Sequence, residues 1–537
     1  MTKKQINIIA ILSVAAFVLA FMLSSRIWFR LDLTKNKAYT ISEVSRNLYK
    51  EIPDPVSITY YISDRLARAH PLPEEISDLL REYAAHSRGK IRFTQRDPIK
   101  ANLAGLMEEL GIAPQQIQVV ENNETTVATV YTGVTIEYLE KRAVLPVVFS
   151  LDTLEYDLTS RIRSLVLDRE REIGIIVGSP AKQWNTEFGY LNQELAAAGY
   201  KIRLIAPGDE IPASLPSLFV LGGAADLDAW ALYRIDHYIQ TGGKTLFALE
   251  GISVNTQSGL EAGAVADQGL FAMVANYGAV IRPAMVLDTS ALQITFQIRS
   301  GNVTQYRTMR YPEWIGVLEQ NGNKNHAVTA RFKGIDLYWP SPLELKPPAG
   351  VQAEPLFTST PEAWLQTKDF ITNPDMLSLA EQEAGETRGT KILGASLQGG
   401  FPSAFRGSPK PIREGSEEIL PDLPPVPSPS RIIVIGDTDF AGNFMQVSRG
   451  EDRNLSFLLN AADWLSSDDD IISIRSRQGE AGRLNKIQDA KKKAAAMNFS
   501  KGLNVFAVPL LVVTIGLFLS IKRRNEQKST KGDNHDL

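Results

Sequence analysis

Two apolar stretches at opposite ends of this chain constrain its architecture more than any other feature. They run over residues 6–29 and 503–521, and each approaches the roughly 20 residues that a helix needs to cross a bilayer. As two membrane-spanning helices, they would put both tails, 1–5 and 522–537, on one side of the membrane. Everything between them would lie on the other side, held at the membrane surface by both of its ends.

A cleavable signal peptide is the alternative interpretation of the first stretch, because Lys3 and Lys4 precede its apolar run. No small-residue cleavage site follows that run, however, and Arg26 and Arg30 stand there instead. Basic residues are almost balanced between the two sides, so the orientation rests on the short charged N-terminus, which is typical of a signal anchor. We expect cytoplasmic tails and an extracytoplasmic, or periplasmic, bulk at the inner membrane.

Composition excludes several kinds of site. A net charge of −4 over 537 residues gives no electrostatic footprint for nucleic acid. The chain has no cysteine, which rules out disulfides, thiolate metal sites and a cysteine nucleophile. Its five histidines, at positions 70, 86, 237, 326 and 535, lack metal-ligand spacing. We therefore expect no metal, no cofactor and no nucleic-acid partner.

Residues 38–150 have the pattern of one α/β domain. Ser42 is placed to cap a helix, Val56–Ile62 is rich in β-branched and aromatic residues, and Pro73 opens a second helix. Further strands and a helix follow, and the domain is predicted to finish as three antiparallel strands within 127–149. This β-α-β-α-β-β order predicts a thioredoxin-like domain, without redox activity because the chain has no cysteine.

Residues 151–283 and 431–475 alternate apolar strands with helices. Ile173–Gly178 ends in glycine and Arg431–Ile435 leads into one, as expected of buried parallel strands. The alternation predicts a doubly wound parallel sheet. Three other segments interrupt or follow this pattern: a β-containing insertion over 284–400, a proline- and glycine-rich loop over 401–430, and a basic juxtamembrane segment over 476–502.

The segment Gly242-Gly243-Lys244-Thr245 has the letters that end a phosphate-binding loop. Such a loop needs a glycine five positions before its second glycine, where Tyr238 stands, and it runs from strand to helix. Here the segment follows a predicted helix over 228–241, so no helix N-terminus would face a phosphate. We interpret it as a helix C-cap, and ATP hydrolysis would then come from another chain.

Ser253 lies in a near match to the nucleophile elbow of serine hydrolases. Gly251-Ile252-Ser253-Val254-Asn255 follows a predicted strand, but Asn255 replaces the last glycine of the G-x-S-x-G pattern. His326 and Asp437 would be the residues to complete a triad, although nothing in the sequence brings them together. An envelope serine hydrolase therefore stays as an alternative function, beside a capped turn at Ser253.

Asp437 and Asp439 follow an apolar strand, at the end where open α/β sheets bind ligands. Two carboxylates could hold a divalent cation or resemble a phosphotransferase D-x-D motif, yet Ala441 replaces the usual threonine. The other interpretation is that these side chains cap the turn through backbone N–H groups. A solute-binding module is the corresponding alternative function.

An ordered set of segments spreads over nearly the whole chain. It comprises Leu31–Thr34, Tyr39–Ser42, Gly222-Gly223, Tyr238–Lys244, His326–Thr329, Pro340–Glu344, Leu393–Phe405, Val434–Phe440 and the closing Lys522-Arg523-Arg524. Together they resemble the GldG-like auxiliary component of gliding-motility-type ABC transporters. Ala327 departs from the proline that is commoner in this family.

The resemblance implies that the middle domain has the glutamine-amidotransferase-like fold of this family and of its intraflagellar-transport relatives. Amidotransferase activity is excluded, because its nucleophile is a cysteine. The family stands beside a multi-span permease and a cytoplasmic ATPase. The resemblance therefore implies a non-catalytic, membrane-anchored auxiliary subunit, whose partners are these two subunits and membrane lipid, in a homo- or hetero-oligomer.

Overall fold

A computed structural model of the chain describes most of the region between the two apolar stretches. The described residues are 41–121, 124–149, 151, 154–167, 171–178, 183–256, 259–300, 303–330, 332–374, 387–415, 417–447, 453–466 and 474, and they belong to one compact unit. The predicted spans 6–29 and 503–521, both tails and the segment 476–502 lie outside them. Of the helices in the described ranges, none is long and apolar enough to span a bilayer.

The first helix begins where its capping residue predicts. Helix α1 (Glu43–Glu51) starts after Ser42, whose side chain accepts a hydrogen bond from the Ser45 N–H at 3.1 Å. The buried carboxylate of Glu155 accepts the Ser42 N–H at 2.7 Å and the Ser45 hydroxyl at 2.8 Å. This predicted cap is therefore confirmed, and a long-range polar contact fixes it in place.

The N-terminal part of the molecule is a four-stranded sheet with a hairpin and further helices. Its elements are β1 (Val56–Ile62), α2 (Asp64–Ala69), α3 (Leu72–His86), β2 (Ile91–Arg96), α4 (Ala104–Glu109), β3 (Gln115–Glu121), β4 (Glu124–Val130), β5 (Thr132–Tyr138), β6 (Lys141–Leu145) and α5 (Leu154–Val166). The sheet order is β2-β1-β5-β6, with β1 parallel to β2 and antiparallel to β5.

The strand predicted at 127–131 does not join that sheet. It is β4, which pairs with β3 in a separate two-stranded hairpin. The prediction of three strands finishing one sheet is wrong here. β4 pairs with its neighbour in the chain, from Glu121↔Glu124 to Gln115↔Val130, as consecutive strands commonly do.

The remaining elements form the central part of the molecule. Its strands are β7 (Glu172–Val177), β8 (Lys201–Leu204), β9 (Ser217–Leu221), β10 (Thr245–Ala248), β11 (Ile252–Asn255), β12 (Glu261–Ala264), β13 (Ala279–Ile281), β14 (Met285–Leu287), β15 (Ala291–Ser300), β16 (Val303–Val317), β17 (Ile335–Tyr338), β18 (Leu343–Leu345), β19 (Val351–Thr358), β20 (Trp364–Gln366), β21 (Ile392–Gly399) and β22 (Ser430–Ile435). Its helices are α6 (Trp184–Glu187), α7 (Gly189–Ala197), α8 (Ala229–Gln240), α9 (Leu270–Tyr277) and α10 (Arg453–Ser466).

The main sheet has nine strands, of which five are parallel. These five follow the order β8-β7-β9-β10-β22, and all of them except the edge strand β8 are buried on both faces. On β9, Phe219 and Leu221 belong to one hydrophobic core, whereas Leu218 and Val220 belong to the other. Burial on both faces explains why such strands read as continuous apolar runs in the sequence.

The expectation of a wholly parallel sheet is wrong for the other half. Strands β13, β18, β19 and β21 extend the sheet beyond β22, and each pairs antiparallel. The described residues that connect these strands contain no α-helix, which is the usual crossover between parallel neighbours. The range 284–400 therefore contributes strands to the main sheet, in addition to the small sheets β14–β20 and β15–β16–β17.

The proline- and glycine-rich loop packs on helix α8. Asp228 caps this helix by accepting the Ala231 N–H at 2.8 Å. The Tyr233 hydroxyl donates to the Pro421 carbonyl at 2.8 Å, and Leu420 is buried beside Tyr233. The loop is thus tied to the outer layer of the main sheet.

Candidate functional site

The carboxyl ends of four parallel strands meet at one edge of the main sheet. Each strand end is followed by a glycine or by a polar turn: Gly178 after β7, Gly222-Gly223 after β9, Leu249-Glu250 after β10, and Gly436-Asp437 after β22. Open α/β sheets bind their ligands outside this edge. The edge is therefore the first place to look for a site.

Two of these glycines allow backbone segments to touch. A Cβ on Gly178 would lie 2.3 Å from the Gly223 Cα, and a Cβ on Gly436 would lie 1.9 Å from the Ser341 carbonyl oxygen. The Ser341 N–H donates to the Gly436 carbonyl at 2.7 Å. Any side chain at these positions would push the strand ends apart, so the floor of the edge is packed backbone.

A cleft of about 260 Å³ opens above this floor. Its polar lining is acidic, because it contains the carboxylates of Asp226, which follows β9, and Glu250, which follows β10. The exposed Ser253 on β11 also lines the cleft. The backbone of Gly222 and Gly223, both at positive φ, completes this wall. Such a lining can accept hydrogen bonds from an amine or a hydroxyl.

Asp437 holds the turn after β22 instead of facing the cleft. Its carboxylate is 1% exposed and accepts the Tyr338 N–H and the Asp439 N–H, each at 2.7 Å. The neighbouring Thr438 hydroxyl donates to the Ala248 carbonyl at 2.7 Å. Asp439 begins a 3₁₀ turn, Asp439–Ala441, and is half-buried. Asp437 therefore makes the backbone contacts that the capping interpretation requires.

His326 lies at the opposite end of β22. Its ring packs against Trp464 with 5.0 Å between centroids, and the guanidinium of Arg431 covers the same Trp464 ring at 5.2 Å. Its Nδ1 accepts the Val328 N–H at 3.2 Å. Burial, with a smaller contribution from the Arg431 charge, lowers the pKa of His326 to about 4. The imidazole is therefore neutral at neutral pH.

The structure does not assemble the Ser253–His326–Asp437 triad. Arg431 is near the start of β22 and Asp437 follows its end, and a strand rises about 3.3 Å per residue, so roughly 15–20 Å separates these two ends. Ser253 itself sits on β11, in a hairpin with β12 where it pairs with Gly263. The elbow interpretation is wrong, because an elbow turns from strand into helix.

The Gly242–Thr245 segment joins helix α8 to strand β10. Gly242 has a φ of +96°, and the Gly243 N–H donates to the Tyr238 carbonyl at 2.8 Å. This is the left-handed C-cap that the sequence predicts. The prediction that the segment is not a phosphate loop is confirmed by its position between a helix and a strand.

Asp226 and Glu250 are candidate site residues that sequence reasoning missed. Both follow the ends of parallel strands, which is the same signal that singled out Asp437. The signal was available, but neither residue lies in a motif. Among the residues that the structure describes, no group of three His, Asp or Glu side chains could hold a metal ion.

A curated relative covers almost the whole chain. A protein of Borreliella burgdorferi, described as uncharacterized, is 26% identical over 507 residues, which are 92% of this chain and 94% of that protein. Among solved structures, the mmIFT52 N-terminal domain is 12% identical and covers 55% of this chain and 98% of its own, with a TM-score of 0.31. A putative ThuA-like protein of Parabacteroides merdae is 10% identical, covering 55% and 90%, with a TM-score of 0.26.

Two family descriptions match separate parts of the chain. Residues 35–137 match a domain of unknown function. Residues 170–467, more than half of the chain, match the family described as an ABC-type uncharacterized transport system. The chain therefore belongs to this family and is an auxiliary component of an ABC-type transport system.

Proposed function

We propose that the chain is a non-catalytic, membrane-anchored subunit of an ABC transport system of the gliding-motility type. Its α/β domains stand outside the cytoplasm and contact the permease, a substrate or an envelope partner. The family match carries this proposal, since it extends over the whole main sheet from residue 170 to residue 467. The two apolar stretches, 6–29 and 503–521, support the anchoring.

The geometry of the candidate residues supports a role without chemistry of its own. Asp437 is engaged with backbone N–H groups, His326 lies at the far end of β22, and Gly242–Thr245 caps a helix. None of these three arrangements activates a nucleophile or cradles a phosphate. ATP hydrolysis in this proposal belongs to a separate cytoplasmic subunit.

The N-terminal sheet supports the thioredoxin-like part of the proposal. Strands β1, β2 and β6 run in one direction and β5 runs in the other, in the order β2-β1-β5-β6. Helix α5 follows and packs on β5 and β6. Without cysteine, this domain has no thiol redox activity.

Co-purification tests the assembly directly. A chain tagged at its C-terminus is extracted from its native membranes in mild detergent, and the bound proteins are identified by mass spectrometry. We expect a multi-span permease and an ATPase in constant ratio, absent from membranes that carry the untagged chain. Recovery of the chain without either subunit would contradict the proposal.

Protease accessibility tests the orientation. In spheroplasts, protease added from outside should cleave the described domains, for example at the exposed loop around Ile412 and Ile419. In inverted vesicles, only the two short tails should be cleaved. The reverse pattern would place the domains in the cytoplasm.

A solute-binding module is a second candidate function, which the acidic cleft favours. Because Asp226 and Glu250 line it, spermidine is a suitable cationic probe. This function predicts that spermidine raises the melting temperature of the purified chain, and that Glu250→Gln abolishes the rise. The exposed Glu74→Gln on α3 serves as the control. An unchanged melting temperature in the wild-type chain would exclude spermidine-like ligands at this cleft.

A further inference from the structure

The two ends of the described chain meet at one corner of the compact unit. Ile474, the last described residue, is 1% exposed and is buried together with Tyr156 of helix α5. Val44, on helix α1, packs against this pair. Helix α1 in turn follows Ile41, the first described residue, almost directly. We call the position formed by Val44, Tyr156 and Ile474 the tether corner, because the chain leads from it toward both apolar stretches.

A buried polar network fixes α1 at this corner. The Ser45 hydroxyl, which donates to Glu155 of α5, is also hydrogen-bonded to the Thr159 hydroxyl at 2.8 Å. The Tyr83 hydroxyl of α3 is bonded to the same Thr159 at 2.9 Å. All four side chains are buried, where a broken hydrogen bond leaves a polar group without water. The end of the chain at α1 is therefore held rigidly on α5.

The tether corner belongs to the amino edge of the main sheet, where the parallel strands begin. Helix α5 ends at Val166, and β7 begins at Glu172. Directly before β7, Arg171 forms an ion pair with Asp463, near the end of helix α10. Tyr156 is within electrostatic range of the same Arg171. The corner and the beginnings of the strands are therefore neighbours.

Helix α10 extends from the carboxyl edge of this sheet to its amino edge. At the start of the helix, Asn454 donates to the carbonyl of Phe440, in the 3₁₀ turn that follows Asp437. At its end, the Trp464 carbonyl accepts a hydrogen bond from Arg431 Nη1 at 2.8 Å, where β22 begins. The 14 residues of α10 are about 20 Å long. The acidic cleft at the carboxyl edge is therefore on the opposite side of the sheet from the tether corner.

The connection from the first apolar stretch to this corner is short. Residues 30–40 separate the stretch 6–29 from Ile41, and fully extended they reach at most about 40 Å. A compact unit of this length is roughly 55 Å across. If residues 6–29 span a membrane, the tether corner cannot be the part of the unit farthest from it. The second connection, which begins at residue 475, leaves from the same corner.

We propose that the tether corner faces the lipid bilayer and that the acidic cleft opens on the side of the unit that is turned away from it. This orientation rests on the membrane anchoring in the proposed function. It does not depend on which side of the membrane carries the domains, because both connections begin at one corner in either case. A solute or a partner then reaches Asp226 and Glu250 from the side opposite the lipid.

Single dyes can be attached at chosen positions, because the chain has no cysteine of its own. Glu43→Cys places a donor dye beside the tether corner, and Ser253→Cys places one in the acidic cleft; both side chains are exposed. Each labelled full chain is inserted into lipid nanodiscs whose headgroups carry an acceptor dye. Energy transfer is measured against nanodiscs without acceptor, and each variant is used only if it keeps the melting temperature of the wild-type chain.

We expect energy transfer from residue 43 to be at least about twofold greater than from residue 253, since about 20 Å, the length of α10, separates the two edges of the sheet. If Glu43→Cys lowers the melting temperature, Lys50→Cys replaces it, because Lys50 is exposed at the other end of α1. Asp226→Cys replaces Ser253→Cys in the same way, since Asp226 is an exposed residue of the same cleft.

The other outcomes overturn the proposal in distinguishable ways. Equal transfer from the two positions, or greater transfer from the cleft, would mean that the unit lies flat or inverted on the membrane. If the chain stays in the nanodiscs but neither position transfers energy, the orientation is wrong while the anchoring holds. If the chain separates from the nanodiscs on gel filtration, the anchoring itself fails and the orientation fails with it.

Discussion

Two clefts of the molecule are built in opposite ways. The cleft at the carboxyl edge, about 260 Å³, is lined by Asp226 and Glu250 above closely packed backbone. A second cleft, of about 710 Å³, is called the cationic cleft because its charged lining consists of Lys and Arg side chains from segments that are distant in the sequence: Lys141, Arg142, Arg161, Arg171 and Lys201. The strand ends of the main sheet and the β11–β12 hairpin form the first, whereas the second requires the N-terminal sheet to lie against the end of α7. A topological rule therefore locates a crevice, but the side chains around it decide what it can bind.

The largest expected effect separates the two arginines of the cationic cleft. Arg171→Gln should lower the free energy of unfolding by about 3–5 kcal/mol, because it removes the cation that pairs with the part-buried Asp463 carboxylate. Arg161→Gln loses one hydrogen bond to a carbonyl and should cost about 1 kcal/mol. Urea denaturation measures both. Equal losses would mean that Arg161 stabilises the fold as much as Arg171 does, which would contradict the difference expected between the two arginines.

Next in size is the packing of the carboxyl edge. Gly436→Ala places a Cβ against the Ser341 carbonyl and should cost about 3 kcal/mol. Gly189→Ala is the matched control, because no atom lies within 4 Å of the new Cβ at the start of α7. Its effect should be within about 0.5 kcal/mol. A tolerated Gly436→Ala, seen in the same denaturation curves, would show that the floor of this cleft is loose.

A smaller effect distinguishes two aspartates of the same edge. Asp437→Ala leaves the N–H groups of Tyr338 and Asp439 without their acceptor, at a cost of about 2 kcal/mol. Asp226→Ala changes an exposed side chain of the cleft and should leave stability within about 0.5 kcal/mol. The thermal midpoints of the two variants test this order. If Asp226→Ala lowered the thermal midpoint more than Asp437→Ala, the fold would depend on Asp226 more than on Asp437, which would contradict this account.

The smallest effect at neutral pH concerns His326, away from both clefts. The pKa of His326 is about 4 in the folded chain, below the value near 6.5 in the unfolded chain. The contribution of the neutral imidazole to the free energy of unfolding is therefore present above pH 6.5 and is lost as pH falls through 4. Relative to His326→Asn, the wild-type chain should therefore lose stability between these values. His237, whose pKa burial also lowers, is present in both proteins and cancels in the difference. A difference that does not change with pH would contradict the buried, neutral imidazole.

Much of the parallel half of the main sheet could be predicted from the sequence. Ile173–Gly178 and Arg431–Ile435 correspond to β7 and β22 within one residue, because strands buried on both faces are continuous apolar runs. The antiparallel half could not be predicted. β13 and β18 have three residues each, too few to show a period of two.

The candidate sites were predictable to different degrees. The turn at Asp437 and the cap at Gly242 depend on neighbouring residues. The cap was predicted, and the turn was one of the two interpretations of Asp437, beside a ligand site. The cationic cleft was not, because Lys141, Arg161 and Lys201 come together only when separate elements pack. In the sequence each is an ordinary surface charge.

ATP hydrolysis by the isolated chain is the measurement that tests the central claim most directly. The account makes this chain an auxiliary subunit whose Gly242–Thr245 segment caps a helix, so that another subunit must hydrolyse ATP. The purified full chain should not hydrolyse ATP, while the co-purified complex hydrolyses it at a rate that Lys244→Gln in this chain leaves unchanged. ATP hydrolysis by the isolated chain that is lost in Lys244→Gln would contradict the account.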